Sequence, residues 1–359
     1  MQAQIDKFVS ALNAEYTKRG VNGVAYAEHM GNVQWMIVSE FDTHKEHYLV
    51  EYSMREQFWT SSEMIVELDR MQLLYELTPD QLHAVKYILS LFVRYELNVG
   101  DMWKRVAEVF PRPEVKMAAS VIEMVERAIH AEFYNQLNVQ LGLDTDEHYL
   151  AYTKDPILYE RAKWIGDLLK NDDDPILGII IFSMTETALL FSSFAILKSF
   201  QSNGYNMLPV IVRGTNQSAV DEDLHGQISA EIINTHYSEL GYPLSGDKKR
   251  CADILMAVDY AFAHECRIID TAIRGDYFNG VPKQEYKEFV KRRLNIYLER
   301  IGLPPRFEVG ECSIVNWFEL NTYAYKMVDF FTPGVGMEYE SSWDEDGFVR
   351  GWKEGKSGD

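Results

Sequence analysis

The sequence predicts an all-α protein, a four-helix bundle carrying additional helices. Apolar residues recur at three- and four-residue spacing over stretches much longer than a strand. These stretches open on helix start signals and several close on glycine or a charged loop. Strand signals are weak by comparison. "NVQWMIVSEF" and "HYLVEYS" are the best candidates, and neither is taken as a strand.

The elements follow in order. In "TPDQLHAVKYILSLFVRYELNVGDMWKRVAEVF" (78–110), Thr78 is the N-cap, Pro79 takes the first helical position and Asp80 adds negative charge to the first turn. "PEVKMAASVIEMVERAIHAEFYNQLNVQLGL" (113–143) opens on Pro113 and stops at Gly142. "LYERAKWIGDLLK" is helical up to the charged loop "NDDDP". A very apolar helix covers 176–200, followed by a loop containing Gly204 and Pro209. The next helix spans about 215–240 by its periodicity. "GDKKRCADILMAVDYAFAHECRIIDTAI" and "QEYKEFVKRRLNIYLERIGL" complete the set. After Pro333 the chain is rich in glycine and acid, and it reads as a flexible tail because it has too little apolar surface to offset ordering entropy.

Composition excludes several classes. The formal charge is −20, which speaks against a nucleic-acid surface, since phosphate contact needs clustered Lys and Arg. Cys251, Cys266 and Cys312 form no CxxC pair, so neither a disulfide framework nor a thiolate zinc site is expected, and a cytoplasmic location fits. The start "MQAQIDKFVSALNAEYTKRG" is amphipathic and unlike a signal peptide. "ILGIIIFSMTETALLFSSFAIL" (176–197) is long enough to cross a bilayer. Glu186 in its middle would be costly in lipid, so a buried bundle helix is the better reading and no membrane is expected.

Carboxylates and imidazoles interrupt four of these helices. Glu96 lies in "FVRYELNVG", Glu126 and His130 in "MVERAIHAEFY", Glu186 in the apolar run, and Glu222 with His225 in "SAVDEDLHGQIS". Taken singly, each has an ordinary explanation as a solvated face or a hydrogen-bonded core residue. Together they make a Glu from each of two helices and a Glu-plus-His pair from each of the other two. That is the ligand inventory of a carboxylate-bridged dimetal site in a four-helix bundle. Crowded carboxylates repel, and two divalent cations neutralise them. Oxygen and imidazole donors without thiolate suit iron or manganese.

The set Glu96, "ERAIHAEFY", "FSMTETALLF" and "VDEDLH", with "QFWTSSE" before it, resembles the small (β) subunit of class I ribonucleotide reductase over roughly residues 55 to 340. The resemblance implies a ferritin-like fold and a homodimer. It implies a ribonucleoside-diphosphate reductase in which oxygen, acting at two irons or at manganese, leaves a radical on Tyr134, four residues after His130. It makes Glu96, Glu126, His130, Glu186, Glu222 and His225 the metal ligands. It gives Trp59 the role of electron relay, with Asp221 linking it to His130, and gives Tyr339 the relay in the tail. Leu190 and Phe194 would shield the site. The division implied is an N-terminal segment 1–55, a radical-generating domain 56–333, and a tail 334–359 that binds the large subunit.

Two places depart from the family pattern. Members usually carry Glu-x-x-His on the second helix, but Arg127 stands three residues before His130 and Glu126 stands four before it. A π-bulge would absorb the extra residue and bring Glu126 to the site. Glu96 stands where many members have aspartate. The alternative reading is a ferritin-like oxidase or oxygenase acting directly on a small or fatty substrate, which needs the ligands but not Trp59, Asp221 or Tyr339.

Overall fold

The computed structural model describes residues 58–110 and 112–318. The candidate strands before residue 58, Tyr339 and the segment 334–359 lie outside the described residues.

Helix α1 spans Pro79–Val109. Its start is the one expected: Thr78 Oγ1 accepts from the Gln81 N–H at 3.2 Å, and the Gln81 side chain accepts from the Thr78 N–H at 2.9 Å. Helix α2 runs over 113–140, with a π-helical turn at Val125–His130 between its two α-helical parts. Short α3 (Asp146–Tyr149) and α4 (Pro156–Leu169) follow. Helix α5 begins at Pro175 under an Asp174 cap, passes a second π turn at Thr185–Leu189, and continues to Lys198. Its apolar window, long enough to span a bilayer, is wholly buried inside the protein. Helix α6 is Pro209–Glu239 and α7 is Lys248–Ala272. A two-residue hairpin, β1 (Tyr277–Phe278) with β2 (Val281–Pro282), leads into α8 (Lys283–Arg300).

Helices α1, α2, α5 and α6 pack around one another as a four-helix core, with α4, α7 and α8 outside it. Helix α6 starts earlier than its periodicity indicates. Leu208 adopts φ +52°, and the N–H groups it and Ile211 leave open donate to Gln72 Oε1 (2.6 Å) and Asp69 Oδ2 (2.8 Å). The cap therefore comes from the irregular helical turns at 66–76 and not from the adjacent sequence. Burial pushes the Asp69 carboxyl up to about 6, although the N–H groups of Ile211 and Val210 pull it down.

Helix α6 also lies close to α5. A Cβ on Gly226 would stand 2.4 Å from Thr187 Oγ1, so only glycine permits this approach. It seats His225, the preceding residue, against the helix of Glu186. From the far side α8 braces the pair: Arg293 and Arg300 both bond Asp223 Oδ1, at 3.0 and 2.8 Å.

Candidate metal centre

The two π turns carry residues of the proposed site. Within Val125–His130, Glu126 Oε2 comes to 3.3 Å from His130 Nδ1, although the two are four residues apart. Arg127 points outward instead, bonded to Asp101 and to Glu123. The extra residue is thus taken up as the sequence reading expected. The second π turn holds Glu186.

Five of the six expected ligands converge. His225 Nδ1 lies 2.9 Å from Glu126 Oε1, 3.1 Å from Glu186 Oε2 and 3.5 Å from Glu222 Oε2. His130 Nδ1 lies 3.3 Å from Glu222 Oε1. One donor atom each from Glu126, Glu186, Glu222 and His225 falls within 4.8 Å of the others. All five side chains are fully buried. Glu96 is within α1, but its side chain is outside the described residues.

Beside this cluster, Trp59, Asp221 and His130 are joined by hydrogen-bond contacts. Trp59 Nε1 donates to Asp221 Oδ2 at 2.8 Å, and His130 Nε2 lies 3.0 Å from the same oxygen. With Nε2 turned to Asp221, Nδ1 is the ring nitrogen that faces the cluster. Tyr134 is buried with its ring 4.4 Å from Phe92 and 5.0 Å from Phe133. Leu190 and Phe194 are buried too, with Phe194 standing behind Phe92 at 5.9 Å.

One partner escaped the sequence reading. Trp103 Nε1 donates to Glu186 Oε1 at 2.8 Å. It lies seven residues after Glu96, two turns along the same helix face, and that spacing was its only local signal.

The donor set fits cations. Both oxygens of Glu126 and of Glu222 are buried without an aligned hydrogen bond among the described residues. Leaving carboxylate oxygens so is expensive in a dry core, and cations relieve it.

The family comparison decides what this bundle is. The model for "Ribonucleotide reductase, small chain" matches residues 40–313. The protein belongs to that family.

A curated relative from Arabidopsis thaliana, a ribonucleoside-diphosphate reductase small chain, is 24% identical over 289 residues, covering 79% of this protein and 82% of the relative. Among solved structures, the ribonucleotide reductase R2 subunit from Clostridium botulinum aligns with a TM-score of 0.66 at 18% identity, over 79% of this protein and 89% of that one. The dimanganese(II)-NrdF of Streptococcus sanguinis aligns at 0.64 and 18%, over 79% and 96%. These likenesses establish the all-α ferritin-like fold. This ribonucleotide reductase small subunit is thus one component of an enzyme completed by a large subunit.

In the small subunit, burial and the neighbouring charges shift the ionisable groups of this cluster. Burial, joined by the charges of Glu126 and Glu186, holds Glu222 well above the usual carboxylate range. Burial also acts to raise Glu126, but the facing His130 and His225 carry it well below. Both imidazoles are raised, against their burial, by the carboxylates they face.

Proposed function

We propose that Glu96, Glu126, His130, Glu186, Glu222 and His225 hold two iron ions, with manganese as the alternative, and that Tyr134 stores the resulting radical. The observation that carries this reading is the dry cluster of three glutamates and two histidines, with Glu126 and Glu222 oxygens lacking aligned donors. When bound, the metal pair supplies electrons to oxygen and leaves the oxidising equivalent that Tyr134 takes up.

The chain's own groups do the rest. Tyr134 gives up one electron and its phenolic proton. Phe92 and, behind it, Phe194 keep water and reductants from its ring. Asp221 fixes the His130 tautomer and ties Trp59 to it. The oxidising equivalent then leaves through Trp59 and Tyr339 to the large subunit, which reduces ribonucleoside diphosphates. Two small subunits form a homodimer in the cytoplasm, and the tail 334–359 docks the large subunit. A direct-acting oxidase would have no use for the Trp59–Asp221–His130 chain.

Metal analysis combined with electron paramagnetic resonance of protein activated in air tests the centre. Close to two transition-metal ions per chain and a tyrosyl signal are expected. Metal-free protein after reconstitution with iron and with manganese would refute the centre. For the tail, deletion of 340–359 should leave the radical intact and abolish turnover with the large subunit. Undiminished turnover would remove the docking role.

A further inference from the structure

Phe133 stands between the two side chains to which the proposed function gives redox roles. Its ring meets Trp59 edge-on, with centroids 5.7 Å apart and planes at 78°. It meets Tyr134 at 5.0 Å and 59°. Both lie in the range of favourable aromatic pairs. Phe133 is fully buried. Helix α6 closes the space behind it. A Cβ on Gly214 would stand 2.2 Å from Phe133 Cζ and 2.4 Å from Cε2, so the ring occupies the volume a larger residue would take.

Two routes therefore leave Trp59. The hydrogen-bonded one, through Asp221 and His130, enters the carboxylate cluster. The other runs by ring contact through Phe133 to Tyr134 and does not pass through the cluster. We propose that Phe133 is a positioning residue through which Trp59 and Tyr134 exchange an electron directly.

The physical reason is electronic coupling. Coupling falls steeply across an unfilled gap and less steeply where side chains touch. A phenyl ring is harder to oxidise than an indole or a phenol, so Phe133 holds no charge and acts only as the contact. The exchange balances. Trp59 loses one electron and its indole proton, and the proton passes to Asp221 Oδ2, to which Nε1 already donates. The Tyr134 phenoxyl gains the electron, takes back the proton it released when the radical formed and becomes the phenol again.

This inference rests on Tyr134 as radical site and Trp59 as relay, and adds the medium between them. The test uses full-length, metal-loaded protein with the large subunit and substrate. Loss of the tyrosyl signal in a single turnover is followed by rapid freeze-quench resonance. In Phe133→Leu, metal content and radical yield should match the parent, while signal loss and product formation slow by about tenfold or more. The double variant Phe133→Leu/Gly214→Ala refills the vacated volume without restoring a ring, and it should remain slow. A parental rate in Phe133→Leu, or recovery in the double variant, makes Phe133 a space filler and overturns the inference. If Tyr134→Phe keeps the tyrosyl signal, the underlying radical assignment fails instead, whatever Phe133 does.

Discussion

Tyr134→Phe is expected to leave metal content unchanged, remove the tyrosyl resonance and lower turnover with the large subunit by about a thousandfold or more. The substitution keeps the ring that packs on Phe92 and Phe133. It deletes only the hydroxyl whose O–H bond breaks when the radical forms. Losing one buried hydroxyl costs about 1 kcal/mol, too little to disturb the bundle. The closest rival by sequence is Tyr95, next to Glu96. Its phenol is pinned by Arg161 Nη1 at 2.7 Å, and a guanidinium opposes the positive charge that oxidation creates. Burial, only partly offset by Arg161, also pushes the Tyr95 phenol up to about 12, so it gives up its proton reluctantly. Metal analysis, resonance at low temperature and product assays on one preparation check all three outcomes. A tyrosyl signal that survives places the radical on a different tyrosine.

What the sequence made legible, and what it hid, divides by range. The start of α1 was readable because Thr78 and Gln81 cap each other within one turn. The five side chains that converge were readable because each interrupts an apolar helix face, where a charge has no use unless something pays for its burial. The start of α6 was not readable: its capping groups, Asp69 and Gln72, come from more than a hundred residues upstream. Trp103 was missed for the same reason, since its bond to Glu186 joins positions 83 apart. Gly214 and Gly226 look alike in a helical pattern, and only the facing Phe133 and Thr187 show why neither position has room for a side chain. Local rules thus located the clustered side chains, while nonlocal contacts set how closely the helices that carry them approach.

The π turn at Val125–His130 makes the second large prediction. Without that turn, a residue four places before His130 and one three places before it would both sit near the same helix face, and Arg127 would compete for the site. The turn sets the two apart: Glu126 is fully buried at 3.3 Å from His130, and Arg127 is held outside by Asp101 and Glu123. Gly100 leaves room for that outward path, since a Cβ there would come within 2.8 Å of Arg127 Cγ. Glu126→Ala should therefore weaken metal binding by more than about a hundredfold, beyond what loss of an outer hydrogen-bond partner costs, and no radical should form in air. Arg127→Ala removes only partly exposed ion pairs, which contribute little. It should bind metal and form the radical as the parent does. Isothermal titration with manganese and resonance after iron and air read both variants. The opposite pattern, with Arg127→Ala losing the metal and Glu126→Ala keeping it, would show that the turn does not select Glu126 and that the second helix contributes only His130.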